Sequence, residues 1–175
     1  IQGLASARLL FCINLNNQFM SEVHFSEQEL IRREKLAKLQ AAGIDPFPAP
    51  LYPVNSFSVD IKNNYTEENK DQFTNLCVAG RIMSINDKGK VFFIKIQDSK
   101  GIIQLYVKRD DICPEEDKSF WDTVVKHGLD LGDIIGCTGF AFITKTGETS
   151  IHAQTITLLT KSLKPLPVVK RDEEG

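Results

Sequence analysis

The sequence lacks most features that announce a chemistry. Its 175 residues carry 21 Lys and Arg against 23 Asp and Glu, a formal net charge of -2. No global basic field marks a nucleic-acid partner, so such a partner must be held by a local patch and by contacts that are not ionic. No apolar run approaches the roughly 18 residues needed to span a bilayer, so no membrane partner is expected. Cys12, Cys77, Cys113 and Cys137 form no CxxC and no Cys/His set at metal spacing. They read as small apolar thiols of a reduced, cytoplasmic protein. His24, His127 and His152 are scattered. No acid–base pair, activated nucleophile or metal cluster emerges, and no catalytic, metal or cofactor-binding residue is assigned.

The first nineteen residues, IQGLASARLLFCINLNNQF, hold one charge, Arg8, and precede Met20. They read as a non-native or upstream extension, with Met20 as the natural start, and carry no weight for the fold. Residues 20–74 form an N-terminal helix and a connector. The helix is expected near Glu27–Ala42, with a Ser26/Glu29 capping box, a Phe25/Leu30 staple and Gly43 as its stop. Arg32, Arg33, Lys35 and Lys38 are distributed among its apolar positions. That pattern reads as a solvated face or as a phosphate-contacting surface. Four prolines between Pro46 and Pro53 make the connector extended and semi-rigid. The polar NNYTEENK after it reads as the start of a short helix.

From residue 75 to 163 the pattern is β-rich. Strands are expected near Leu76–Asn86, Lys90–Gln97, Ile102–Arg109, Asp133–Thr144 and Thr149–Leu159, separated by glycine-bearing turns. A helix is expected near Glu115–His127, with Trp121 plugging the open end of a barrel. Three strands, a helix and two strands give a mainly β protein, the five-stranded Greek-key barrel of the OB-fold with an appended N-terminal helix.

Phe92 and Phe93 are adjacent, so in a strand they face opposite ways. Phe92, Ile94 and Ile96, with Ile103, Leu105 and Val107, form apolar sets that belong inside, because burying Lys95 or Lys108 unpaired is expensive. Phe93 is thereby assigned to the outer face with Lys95, Gln104, Tyr106 and Lys108; Arg81 takes the less apolar face of the first strand. An aromatic pair, an amide and cations on these strands make a platform for single-stranded nucleic acid. An unpaired base stacks on Phe93 and offers its edge to Gln104, and cations meet phosphates. The competing reading has a helix or loop covering Phe93. Nonspecific single-strand binding and a protein-interaction barrel also stay open.

The segments RREKLAKLQAAGIDPFP, VAGRIMS, GKVFFIKIQDSKGIIQLYVKRDDI, LDLGDIIGCTGF and TKTGETSIHAQTITLLTKSLKPLP occur in order. Through them the chain from Ser26 to Lys170 resembles the N-terminal anticodon-binding domain of bacterial class II lysyl-tRNA synthetases. The pattern GR…GK..F..IQD..G.IQ is shared with aspartyl and asparaginyl synthetases, which keeps those identities as alternatives. The resemblance implies binding of the U-rich anticodon loop of tRNA(Lys), with Phe93 stacking on the central uridine and Gln104 bonding it. It also implicates Arg81, Lys90 and the helix bearing Arg32 and Arg33. Lys145 and Glu148 are candidates for the outer anticodon bases. Ile85 and Asn86 stand where relatives carry arginines, which puts an arginine contact there in doubt. The resemblance further implies that residues 164–175 lead to a catalytic domain using ATP and magnesium, and that the full-length enzyme is a homodimer. The chain to Gly175 is expected to be inactive alone.

Overall fold

The computed structural model describes residues 25–167. The expectations for the first nineteen residues, Met20 and His24 lie outside that range, as does most of the exit segment.

Helix α1 spans Glu27–Ala41. Ser26 Oγ accepts from the Glu29 amide at 3.3 Å, and the Ser26 amide donates to Glu29 Oε2 at 2.8 Å, so the capping box forms as read. Gly43, at φ 76°, supplies the left-handed stop. The Phe25/Leu30 staple needs correction. Both residues are largely exposed, and the Phe25 ring instead carries the Arg33 guanidinium at 3.9 Å.

The connector straps onto the barrel. Asn55 donates its amide to the Cys77 carbonyl, and the Cys77 amide donates to Asn55 Oδ1 at 2.8 Å. Tyr52 lies flat on Gly136, where a Cβ would come within 2.3 Å of the ring. Gly136→Ala is therefore expected to lift the connector and lower stability by about 1–3 kcal/mol, read by denaturant unfolding. A short helix, α2 (Ser58–Asn64), follows, and both the Ser58 amide and hydroxyl donate to Asp98. It ends where the NNYTEENK helix was expected to begin. A 3-10 turn at Lys70–Phe73 leads into the barrel instead.

The strands are β1 (Leu76–Asp87), β2 (Val91–Gln97), β3 (Ile102–Lys108), β4 (Ile134–Ile143) and β5 (Thr149–Thr160). They close in the order β1-β2-β3-β5-β4, with β3 and β5 parallel and the other pairs antiparallel. That is the expected OB-fold Greek-key barrel. Phe92, Ile94, Ile96, Ile103, Leu105 and Val107 are all buried in the core. Trp121 is 2% exposed and meets Phe92 edge-on with centroids 5.2 Å apart, so it plugs the barrel.

The β3–β4 connection is less helical than expected. A single turn, α3 (Arg109–Ile112), is followed by an irregular stretch, and the plug itself is a π-helical segment, Trp121–Lys126. Pro114 interrupts helix formation. Lys118 folds back onto the carbonyls of Cys113 and Glu115, and Asp117 takes the Ser119 amide at 2.8 Å, so the coil starts late. The widened turn buries Trp121, Val124 and Val125 together.

Beneath the barrel lies a buried ion network. Lys161 Nζ, wholly buried, meets Asp130 Oδ2 at 2.6 Å, Asp133 Oδ2 at 2.7 Å and the Gly128 carbonyl at 2.7 Å. Lys35 of α1 reaches Asp130 from outside at 2.5 Å. Burial alone would raise the Asp130 pKa, but hydrogen bonds from Lys161 and Lys35 hold its carboxyl below the usual range. Arg32 is also inside, only 6% exposed, and donates to the Ser162 carbonyl at 2.9 Å. The reading of Arg32 as a surface phosphate contact is thus corrected: its charge ties α1 to the chain leaving β5.

Candidate nucleic-acid interface

Two lateral rows cross the outer face of the barrel. One runs Asn86–Phe93–Tyr106–His152–Phe140 over β1, β2, β3, β5 and β4. The other runs Ser84–Lys95–Gln104–Ser150–Phe142. Both follow from strand parity, except on β1. There a bulge between Ile82 and Ser84 shifts the alternation by one residue. Ile82 faces the core, yet Ser84 and Asn86 face outward, and Ile85 packs against the core. Only Asn86, not Ile85, stands where an arginine was expected at the groove.

The rows wall an open groove of about 590 Å³. Phe93 and Tyr106 meet edge-to-face with centroids 5.5 Å apart, and Tyr106 meets Phe142 likewise at 5.7 Å. Phe93 is half-buried and lines the groove rather than lying beneath another element. Edge-to-face pairs are a preferred aromatic geometry, and all three rings line the open groove. Gln104 is 9% exposed and donates from Nε2 to Ser150 Oγ at 3.0 Å. Gln104 is part of the lining of the same groove.

Lys95 and Glu148 pair loosely across the groove at 3.5 Å. Lys145 lies on the β4–β5 loop and also lines it. Thr144 closes that loop, its Oγ1 accepting from the Glu148 amide at 3.0 Å. Behind the aromatic wall, His152 Nε2 meets Asp111 Oδ2 at 2.7 Å and its ring packs against Tyr106 with centroids 4.9 Å apart. Burial opposes ionisation of Asp111, but hydrogen bonds from His152 and Lys108 hold its pKa below the ordinary value.

The groove thus gathers Phe93, Lys95, Gln104, Tyr106, Lys145 and Glu148. The other sequence candidates lie elsewhere. Arg81 donates to the Gly132 carbonyl at 3.0 Å, four residues along β1–β2 pairing from the Asn86–Phe93 pair. Lys108 pairs with Asp111 at 3.2 Å. Lys90 sits exposed in the β1–β2 turn, and Arg33 stacks on Phe25. Ser84, Asn86, Phe142, Thr144 and Thr146 complete the lining and were not among the sequence candidates. The alternation Phe140-Ala141-Phe142 carried a signal for Phe142; the bulge that exposes Ser84 and Asn86 carried none.

Among the described residues no three His, Cys, Asp or Glu side chains gather to hold a metal. No described helix is long and apolar enough to cross a membrane. Residues 76–159 match the family of OB-fold nucleic acid binding domains whose model is named for the tRNA anticodon. Lysine--tRNA ligase of Porphyromonas gingivalis is 47% identical over 154 residues, which is 88% of this chain and 27% of that protein. The lysine--tRNA ligase of Azobacteroides pseudotrichonymphae is 50% identical over 145 residues, covering 83% of this chain and 29% of the relative. That of Christiangramia forsetii is 48% identical over 150 residues. The chain therefore spans about a quarter of the length of these relatives. Residues 76–159, the barrel, therefore belong to the family of OB-fold nucleic acid binding domains, and the chain around them is similar over more than four-fifths of its length to lysine--tRNA ligases.

Proposed function

We propose that the groove holds an unpaired base of the anticodon loop of tRNA(Lys), as the recognition module of a lysine--tRNA ligase. The observation that carries this reading is the juxtaposition of Phe93, Tyr106 and Phe142 with the Gln104 amide in one open groove. A uridine stacks on the Phe93 ring, and its edge reaches Gln104. In this reading Lys145 and Glu148, which line the groove from the β4–β5 loop, meet a neighbouring base. The relatives' name favours lysine over the aspartyl and asparaginyl alternatives. At the level of the complete ligase, the reading extends to activation of lysine with ATP and magnesium, a homodimer and cytoplasmic residence. None of those steps draws on the groove.

A titration separates this from nonspecific single-strand binding. The tRNA(Lys) anticodon stem-loop is expected to bind well above a stem-loop with a scrambled loop at the same salt. Equal affinity for the two overturns the proposal. The groove also predicts weak dependence on salt. Only Lys95 and Lys145 among its lining side chains are cationic, and Lys95 already faces Glu148. For a short oligo-uridine, log Kd against log salt is expected to have a slope of about 1–2, matching one or two phosphates.

A further inference from the structure

From the hydrogen bonding behind the groove, and resting on the proposed reading of it, we infer that Ser150 is a positioning residue that locks the Gln104 amide and makes it discriminate uracil from cytosine. The two pyrimidines differ at the edge an amide reads. Uracil offers N3–H as donor beside the O4 acceptor; cytosine offers the N4 amino donor beside N3 as acceptor. A primary amide carries one donor group and one acceptor. Turned by half a revolution, it exchanges them, so a freely rotating glutamine can satisfy either base. Discrimination requires that the amide be held.

Ser150 is placed to hold it. It is wholly buried and pairs with Gln104 across the parallel β3–β5 ladder. Its hydroxyl donates to the Glu148 carbonyl at 3.2 Å. The Thr144 amide also donates to that carbonyl, at 3.0 Å, and takes one of its lone pairs; the Thr144 hydroxyl reaches it too but has Thr146 Oγ1 as a second partner at 3.0 Å, which leaves the other lone pair to Ser150. With the Ser150 proton directed to Glu148, Oγ is left as an acceptor, and it takes Gln104 Nε2–H at 3.0 Å. The reversed amide sets Oε1 against that oxygen, two acceptors face to face. Gln104 is therefore fixed with Nε2 toward β5. Its Oε1 takes no bond from the described residues, so it remains the acceptor for the ligand, beside the second Nε2 hydrogen. An acceptor in that position takes uracil N3–H and meets the lone pair of cytosine N3. The lock runs entirely through β5 and the 144–148 loop, so it does not depend on the stacking ring.

The test uses the full chain and two anticodon stem-loops, one with uridine and one with cytidine at the central loop position. The wild type is expected to prefer uridine roughly tenfold or more, the usual consequence of leaving buried polar groups mismatched. Ser150→Ala is expected to cut that preference to about threefold or less while keeping stacking. Ser150→Thr, which retains the hydroxyl, is expected to preserve it. An unchanged uridine preference in Ser150→Ala overturns the inference. Should the alanine variant fail to fold, side-chain amide NMR of the wild type decides. A Gln104 Nε2 proton that exchanges slowly with solvent and gives a cross-peak to the Ser150 β-protons supports the lock; Gln104 Nε2 protons with no cross-peak to Ser150 overturn it. If the wild type binds neither stem-loop, the groove reading fails, while the amide spectrum still reports whether Gln104 is held.

Discussion

A chain carrying Lys161→Met is expected to unfold at far lower denaturant than the wild type, with a loss of about 3–5 kcal/mol. The side chain is wholly buried and its Nζ has three partners: Asp130, Asp133 and the Gly128 carbonyl. Methionine fills a similar volume but leaves two carboxylates facing each other with their shared cation gone. Removing one partner of a buried pair costs far more than the pair contributes net, because the remaining charge is desolvated without compensation. The loss also reaches further than the barrel floor. Asp133 Oδ1 accepts from the Ser162 amide at 2.8 Å, and Arg32 holds the Ser162 carbonyl, so the network aligns the chain where it leaves β5. Replacing Lys161 and Asp133 together by apolar residues is expected to recover part of the loss, since no unpaired charge then remains at that position.

The same network sets an acid limit. Asp130 is held below its ordinary pKa in the fold. A depressed carboxylate contributes stability that is present above its unfolded value, about 4, and is lost as pH falls through the folded value. Stability contributed by this site is therefore intact at neutral pH and declines below about pH 4. In Lys161→Met one of the two depressing bonds is gone and only that from Lys35 remains, so the acid limb is expected to move to higher pH.

The largest expected effect on binding is at Phe93. Phe93→Ala is expected to weaken the tRNA(Lys) anticodon stem-loop by about 1–3 kcal/mol, the contribution of one base stacked on an aromatic ring. Thermal stability is expected to change by less than about 1 kcal/mol. Phe93 is half-buried on the outer face, and its neighbour Phe92 supplies the core contact with Trp121. Phe92→Ala gives the opposite pattern, a loss of about 3–5 kcal/mol in stability from a fully buried aromatic. The pair of adjacent rings is thus expected to separate binding from folding within one strand.

The opposite placement of these two rings was legible in the sequence because strand alternation is strict: burying one of two adjacent residues exposes the other. The barrel order followed for the same reason, since apolar alternation and glycine-bearing turns mark each strand. What the sequence did not disclose is where alternation breaks. Nothing in SIND announces the bulge after Ile82, so Ile85 and Asn86 looked equivalent, although one packs inward and the other meets Phe93. Charges misled in a similar way. Arg32 and Arg33 are adjacent on one basic helix, yet Arg32 caps carbonyls 130 residues away and Arg33 lies over Phe25. Long-range partners of that kind leave no local pattern. Arg81 and Lys108 likewise found backbone and carboxylate partners outside the groove. The late start of the plug helix depended on Lys118 folding back onto two carbonyls, again a contact no periodicity records.

The central claim is that the face of the Phe93 ring receives an unpaired base. Its most direct measurement is an aromatic-labelled NMR titration of the chain with the tRNA(Lys) anticodon stem-loop. Stacking predicts large, saturable upfield shifts of the Phe93 ring protons, with cross-peaks to one uridine and smaller shifts at Tyr106 and Phe142. Binding that saturates while the Phe93 resonances stay in place would contradict the account.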